Sequence, residues 1–414
     1  MLYQVRELQR GFLDPISDWA QITSQLYSNP FSPLTYMPMA KRMSAGFELL
    51  HRLGKEYEKP SWDIASTSID GHEVAITPKI EISNDFCRLI KFEREFPAAL
   101  AKRKADPVVL IFAPLSGHHA TLLRDTVKSM VAKHQVYVTD WIDARLVPIK
   151  AGPFHLDDYV AYAMQFIRHL GPDVHLVSVC QPTVPVLAAV SLLAALKDPA
   201  QPRSMTMMGG PIDARKSPTE VNNLATTRKF DWFENTVIQV VPSKYPGAGR
   251  RVYPGFLQHA GFVAMNPDKH MTSHWDFYKD LLRGDLGDAQ AHRQFYDEYN
   301  AVLDLPAEYY LDTIATVFQN HDLPQGRWYV NVAGKSMLVD PSQIKQTRLL
   351  TVEGELDDIS GSGQTQAALG LCSGISAAKK QHFTVPGAGH YGIFSGRRWR
   401  ESVYPHIAEF IRKK

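Results

Sequence analysis

The sequence predicts an α/β protein built on a mixed, mostly parallel sheet with an inserted aromatic-rich cap. Three observations predict it. Residues 63–92 hold short β-rich runs, residues 108–208 alternate apolar strands with helical segments, and the alternation lapses over residues 213–346 before resuming to the C-terminus. Antiparallel strands followed by repeated strand and helix are the pattern of a sheet with a doubly wound parallel part.

Taken in order, the first segment, 1–60, is rich in aromatics and methionine, including Phe12, Trp19, Tyr27, Phe31 and Met43, with helical spacing clearest from Lys41 to Leu53. Such a stripe commonly packs on a core or a cap; its other reading is a surface that docks on something hydrophobic. The first part of the core, 61–212, opens with runs at Asp63 to Ile69 and Glu73 to Ile80 around the turn signal Asp70-Gly71, then Phe86 to Phe92. Strands are expected at Val108 to Phe112, Val136 to Thr139, Val174 to Val179 and Met205 to Met208, with helices at Thr121 to Lys133, Leu156 to Leu170 and Thr183 to Leu196 between them. Residues 213–346 read as a loop-rich inserted cap containing Trp232-Phe233, Trp275, Tyr278 and Tyr309-Tyr310. The second part of the core, 347–414, holds strands Arg348 to Val352 and Gln381 to Val385 and a closing helix from about Trp399 to Lys413.

With 414 residues, 44% hydrophobic and 21% charged, the chain can bury a large core, and 45 basic against 43 acidic residues leave no broad electrostatic reason to expect nucleic acid or an anionic membrane. Cys87, Cys180 and Cys372 are odd in number and widely spaced, which fits reduced thiols in a cytoplasmic protein rather than zinc or a disulfide framework. The start, Met1 to Glu7, mixes charge into its first turns, so no signal peptide is expected, and no stretch has the length of a transmembrane segment. His270 and His274 have a four-residue spacing, but no glutamate follows His270, and a metal is not expected.

The chemistry centres on Cys180. It follows the apolar run Val174 to Val179 and precedes an alanine-rich helix, the layout of a nucleophile elbow. The N-terminus of that helix stabilises a thiolate, and the amide of Gln181 is aimed at a developing oxyanion. A free cysteine is ordinarily a small apolar core residue, and Ser178 and Pro182 stand where elbows commonly carry glycine. The partners decide in favour of catalysis. Asp357 lies in the loop Gly354-Glu355-Leu356-Asp357-Asp358-Ile359 after one strand, with Asp358 and Glu355 as alternative carboxylates, and His390 lies between glycines in the loop after the last strand. Nucleophile, acid and histidine in that chain order, each after a strand, match the α/β-hydrolase fold and its triad. A second oxyanion amide is expected from Leu115 or Ser116, and His118 is a candidate for substrate placement.

Ala113-Pro114-Leu115-Ser116-Gly117-His118-His119, Ser178-Val179-Cys180-Gln181-Pro182, the Asp357 loop and Pro386-Gly387-Ala388-Gly389-His390 together resemble the intracellular poly(3-hydroxybutyrate) depolymerase family. The resemblance implies a cytoplasmic enzyme at the surface of polyhydroxyalkanoate storage granules. Such an enzyme cleaves the polyester through a cysteine acyl-enzyme, needs no cofactor, admits coenzyme A as an alternative acyl acceptor, and is compatible with a homodimer. Trp275 and Tyr278 of the cap are then candidates for substrate and granule contact. The family is itself similar to polyhydroxyalkanoate synthases, so an acyltransferase that builds polymer stands as the alternative, beside a granule-associated protein without activity.

Overall fold

The computed structural model describes residues 2–100 and 103–413. Nine strands form the central sheet: β1 (Ser66–Ile69), β2 (His72–Ser83), β3 (Cys87–Glu95), β4 (Val108–Phe112), β5 (Gln135–Trp141), β6 (Val174–Val179), β7 (Ser204–Met208), β8 (Arg348–Gly354) and β9 (Lys380–Val385). Their spatial order is β1-β2-β3-β5-β4-β6-β7-β8-β9. The pairs from β1 to β5 are antiparallel and those from β5 to β9 are parallel. The swap of β4 and β5, followed by sequential parallel strands, is the connectivity of the α/β-hydrolase fold.

The buried strands show why their sequences read as continuous apolar runs. Leu110, Phe112, Val174, Leu176, Met205, Met207 and Leu349 face one core. Val109, Ile111, Val177, Val179, Met208, Leu350 and Val352 face the other. Side chains alternate faces with a period of two, and both faces are covered, so neither set is polar. The β1–β2 turn is as expected, with φ of 49° at Asp70 and 82° at Gly71, the double positive φ that an Asp-Gly hairpin turn supplies. β1 begins at Ser66 rather than Asp63 because Asp63 itself adopts φ 48° and breaks the extended run.

Helices α1 (Leu2–Ser28) and α2 (Ala40–Gly54) form an N-terminal hairpin. On the sheet lie α3 (Arg124–Met130), α4 (Leu156–Leu170) and α5 (Thr183–Ala195). The expected helix from Thr121 is a 3₁₀ turn, Ala120–Leu123, before α3 begins. The closing helix is likewise divided, a π turn at Trp399–Val403 preceding α6 (Tyr404–Arg412), because Pro405 has no amide to bond four residues back.

Residues 213–346 add no strand to the central sheet among the described residues, and they are more helical than their aromatic sequence suggested. They include helices Gly255–Met265, Pro267–Arg283 and Leu286–Tyr299. The aromatic side chains there meet at helical spacing, as Phe295 does with Tyr299 (ring centroids 5.5 Å) and His292 with Tyr296 (4.5 Å). Among the described residues no helix is long and apolar enough to cross a membrane.

Candidate active site

β6 is buried along its length and delivers the chain to Cys180, which takes φ 67°, a left-handed conformation unusual for a residue with a Cβ. The turn is held from both sides: the Cys180 amide donates to the Met208 carbonyl at 2.7 Å, and the Thr183 amide donates to the Cys180 carbonyl at 3.1 Å. Cys180 is half-buried, whereas Cys87 and Cys372 are buried. Burial pushes the Cys372 thiol up to about 12 and the Cys87 thiol well above its ordinary value, so neither is suited to act as a nucleophile.

The space for so sharp a turn comes from a neighbouring strand. Gly209 (φ 54°) and Gly210 follow β7, and a Cβ on Gly210 would collide with Thr183 Oγ1 and the Cys180 carbonyl. A Cβ on Gly209 would lie 2.7 Å from Ile393 Cδ1 and 3.3 Å from His390 Cε1. Glycine is therefore required beside the elbow even though Ser178 and Pro182 occupy the elbow positions themselves. Sequence reasoning missed this pair, whose only local signal is two glycines at the end of a strand.

β8 and β9 bring the other two groups to the same edge. His390 Nδ1 donates to Asp357 Oδ2 at 2.8 Å, with the side chains only 6% and 1% exposed. Asp357 Oδ1 accepts the amides of Ile359 (2.9 Å) and Ser360 (2.8 Å), which fixes the carboxylate's orientation. Burial opposes a charged imidazole, but the Cys180 and Asp357 side chains outweigh it and raise His390 well above its ordinary value. Of the alternative carboxylates, Glu355 Oε2 instead accepts the Gly387 amide at 2.7 Å, and Asp358 makes no hydrogen bond to His390 among the described residues. The loop has a second buried anchor that sequence reasoning missed: Glu353 accepts the amides of Gly363 (2.9 Å), Thr365 and Gln366 (both 2.8 Å).

The loop after β4 is pinned at both ends. The Ala113 amide donates to Thr139 Oγ1 at 2.9 Å, and the Leu303 amide of the cap donates to the Gly117 carbonyl at 2.7 Å. Between these points the amides of Leu115 and Ser116, like that of Gln181, donate to no acceptor among the described residues. They are free for an oxygen that develops negative charge.

Aromatic residues wall the site. His118 stacks on Phe262 (5.0 Å, 15°), contacts Tyr299 and Tyr391, and bonds the Tyr299 carbonyl through Nε2 at 3.2 Å. Burial lowers it to about 4, so it is neutral at pH 7. Tyr391 packs on His390 at 6.0 Å, and both Tyr391 and the buried Tyr309 have phenols raised first by burial and further by charge on Cys180. These tyrosines stand close enough to the sulfur to feel it and were not singled out from the sequence. Trp275 and Tyr278 lie elsewhere: they stack on each other (5.4 Å, 24°) on helix Pro267–Arg283 and touch none of Cys180, Asp357 and His390 among the described residues. His270 bonds the hydroxyls of Tyr296 (3.0 Å) and Tyr299 (3.2 Å), which accounts for it as part of the cap's packing.

Residues 209–414 match the family model described as PHB de-polymerase C-terminus, a stretch that includes Asp357 and His390 and begins after Cys180. No curated protein matches the sequence. Among solved structures, the chain is similar to a monoacylglycerol lipase from Paleococcus ferrophilus at 13% identity and a TM-score of 0.44, covering 74% of this chain and 95% of that one. It is similar to a 2-hydroxy-6-oxo-6-phenylhexa-2,4-dienoate hydrolase from Rhodococcus sp. at 12% identity and a TM-score of 0.45, covering 82% and 100%. A carboxylesterase from Bacillus subtilis aligns at 12% identity and a TM-score of 0.39, covering 90% and 97%. The chain thus has the strand connectivity of the α/β-hydrolase fold, and its residues 209–414 are similar to the C-terminal domain of PHB depolymerases.

Proposed function

We propose that the protein is an intracellular depolymerase that cleaves the ester bonds of poly(3-hydroxybutyrate) in storage granules, with Cys180 as nucleophile, His390 as base and Asp357 as its orienting acid. The observation that carries the reading is the 2.8 Å bond from His390 Nδ1 to a buried Asp357, beside a cysteine held at φ 67° on a strand-to-helix turn. The bond fixes the imidazole tautomer that leaves Nε2 free to act as a base, and the charge of Asp357 stabilises imidazolium.

In the forward half-reaction, His390 takes the thiol proton and the sulfur attacks the ester carbonyl, whose oxygen becomes an oxyanion held by the amides of Gln181 and of Leu115 or Ser116. The C–O bond breaks, the proton on His390 passes to the departing alkoxide, and a hydroxyl-ended chain leaves a thioester on Cys180. His390 then removes a proton from the acceptor, which displaces the sulfur. Water yields 3-hydroxybutyrate oligomers and monomer; the thiol of coenzyme A yields 3-hydroxybutyryl-coenzyme A. The neutral His118 and the tyrosine wall suit an uncharged aliphatic ester better than an ionic substrate.

The test compares wild type with Cys180→Ala on amorphous poly(3-hydroxybutyrate) granules, measuring soluble hydroxybutyrate and its coenzyme A ester with and without added coenzyme A. Release should fall at least about 10³-fold in the variant. Equal release by both proteins refutes the nucleophile, and net polymer growth from hydroxybutyryl-coenzyme A selects the synthase alternative.

A further inference from the structure

The α1–α2 hairpin packs inside out. Apart from Tyr3, the buried residues of α1 are Ser17, Ala20 and Ser24, and α2 buries Ala40, Ala45 and, through its ion pair with Asp297, Arg52. Serine hydroxyls tie the seam: Ser24 Oγ donates to the Ser44 carbonyl at 2.9 Å, and Ser17 Oγ donates to the His51 carbonyl at 3.0 Å. Trp19 and Tyr27 also pack on Phe47 of α2, with ring centroids 5.1 and 6.5 Å apart, but most of the large apolar side chains of α1 point outward. Leu8 is 69% exposed and Phe12 75%, with Trp19, Ile22 and Leu26 also exposed, and Phe31 beyond the helix is 95% exposed. A hairpin surrounded by water turns its large apolar residues inward. Small-residue seams with large apolar residues outside occur where the surroundings are apolar.

At about 100° per residue, the outward apolar residues of α1 fall within about half of its circumference, and that half has no charged residue. Arg6, Glu7, Arg10, Asp14 and Asp18 all lie on the other half. The hairpin is mounted firmly on the rest of the molecule: Tyr3 OH donates to Asp304 Oδ2 at 2.8 Å, Arg52 Nη2 to Asp297 Oδ1 at 2.9 Å, and Arg293 Nε to Glu48 Oε1 at 2.7 Å.

Width, charge and length select the occupant. A second copy packed helix against helix covers a narrow seam, and this face is about twice as broad. An anionic membrane calls for a basic fringe, whereas the charged side of α1 carries three acids against two arginines. α1 has 27 residues, about 40 Å at 1.5 Å each, which suits an extended surface rather than one small molecule. We infer that the outward face of α1, continued by Phe31, docks the enzyme on the neutral, aliphatic polyester surface itself. This rests on the depolymerase reading above and moves the docking surface from the cap to the N-terminal hairpin.

The experiment uses the full chain with Leu8→Gln, Phe12→Gln and Ile22→Gln combined, and a second variant with Leu26→Gln and Phe31→Gln. Co-sedimentation with protein-free amorphous granules, turnover of a soluble hydroxybutyrate trimer ester, mass by sedimentation velocity, and binding to phosphatidylglycerol vesicles are measured. Granule binding and granule hydrolysis should fall at least tenfold in each variant, with trimer turnover and mass unchanged; if the first variant loses trimer turnover through misfolding, the second carries the same expectation. Unchanged granule binding overturns the inference. So does a halved mass, which assigns the face to a second copy, or wild-type binding to vesicles that exceeds binding to granules. A wild type that turns over the trimer but ignores granules overturns the docking surface alone, and one inert on both overturns the depolymerase reading beneath it.

Discussion

Among the carboxylates of the loop after β8, only Asp357 is placed to bond His390, and its second oxygen is already committed to the amides of Ile359 and Ser360. That arrangement predicts an asymmetry between neighbours. Asp357→Asn should lower kcat/KM for a soluble ester by about 10³- to 10⁴-fold, since an amide can present the wrong hydrogen-bonding group to Nδ1. Asp358→Asn should leave it within about twofold. Steady-state kinetics on the two variants separate them, and equal losses would reopen the choice of acid. The loop was legible in the sequence as a strand followed by a carboxylate-rich turn. Which carboxylate meets the imidazole depended on a local turn, in which an aspartate caps the amides two and three residues ahead.

The elbow is a device of several elements. β6 and α5 form the turn, and β7 supplies the two glycines that let it close. Gly210→Ala would force a methyl group into Thr183 and the Cys180 carbonyl, at a cost of about 1–3 kcal/mol, with loss of activity as the turn shifts. Gly11→Ala in α1, where a Cβ meets nothing within 4 Å, should instead stabilise by about 0.5–1 kcal/mol. Urea unfolding of both variants tests the contrast, and the same sign at both sites would count against it. The β-strands were readable element by element because each buries two apolar faces. The division of the closing helix at Pro405 was readable in principle from the missing amide, whereas the 3₁₀ start before α3 has no evident local signal.

Across the whole molecule, several buried histidines respond to acid in the same direction. Burial holds His118, His134 and His175 down to about 4 and His119 to about 3. An unfolded histidine titrates near 6.5. Above that pH both states are neutral; below it the unfolded chain takes up protons that the folded protein refuses, until the folded histidines titrate. At pH 5 each such site costs about 2 kcal/mol. His390 runs the other way, because its raised pKa contributes stability below about pH 6.5 that is lost as pH rises through the folded value. His292, also held to about 4, acts with these four, whereas Asp304, whose carboxyl burial raises to about 7, gains stability as pH falls and acts with His390. The lowered histidines outnumber these two, so the thermal midpoint should fall between pH 7 and pH 5, and a flat profile over that interval would contradict the burial of these side chains. Other properties of the whole molecule were hidden from the sequence. The N-terminal aromatics and methionines read either as packing or as a docking surface; Trp19 and Tyr27 pack on Phe47, whereas Phe12 and Phe31 point to solvent and Ser17, Ala20 and Ser24 lie in the seam. The sequence by itself determined the strands, the main helices and the chain order of cysteine, aspartate and histidine, because periodicity and turn chemistry are properties of neighbouring residues. Only the tertiary structure decided that Gly209 and Gly210 crowd the elbow and which side of α1 faces out. Each depends on how distant segments register across the sheet or pack together, and local spacing does not encode that registration.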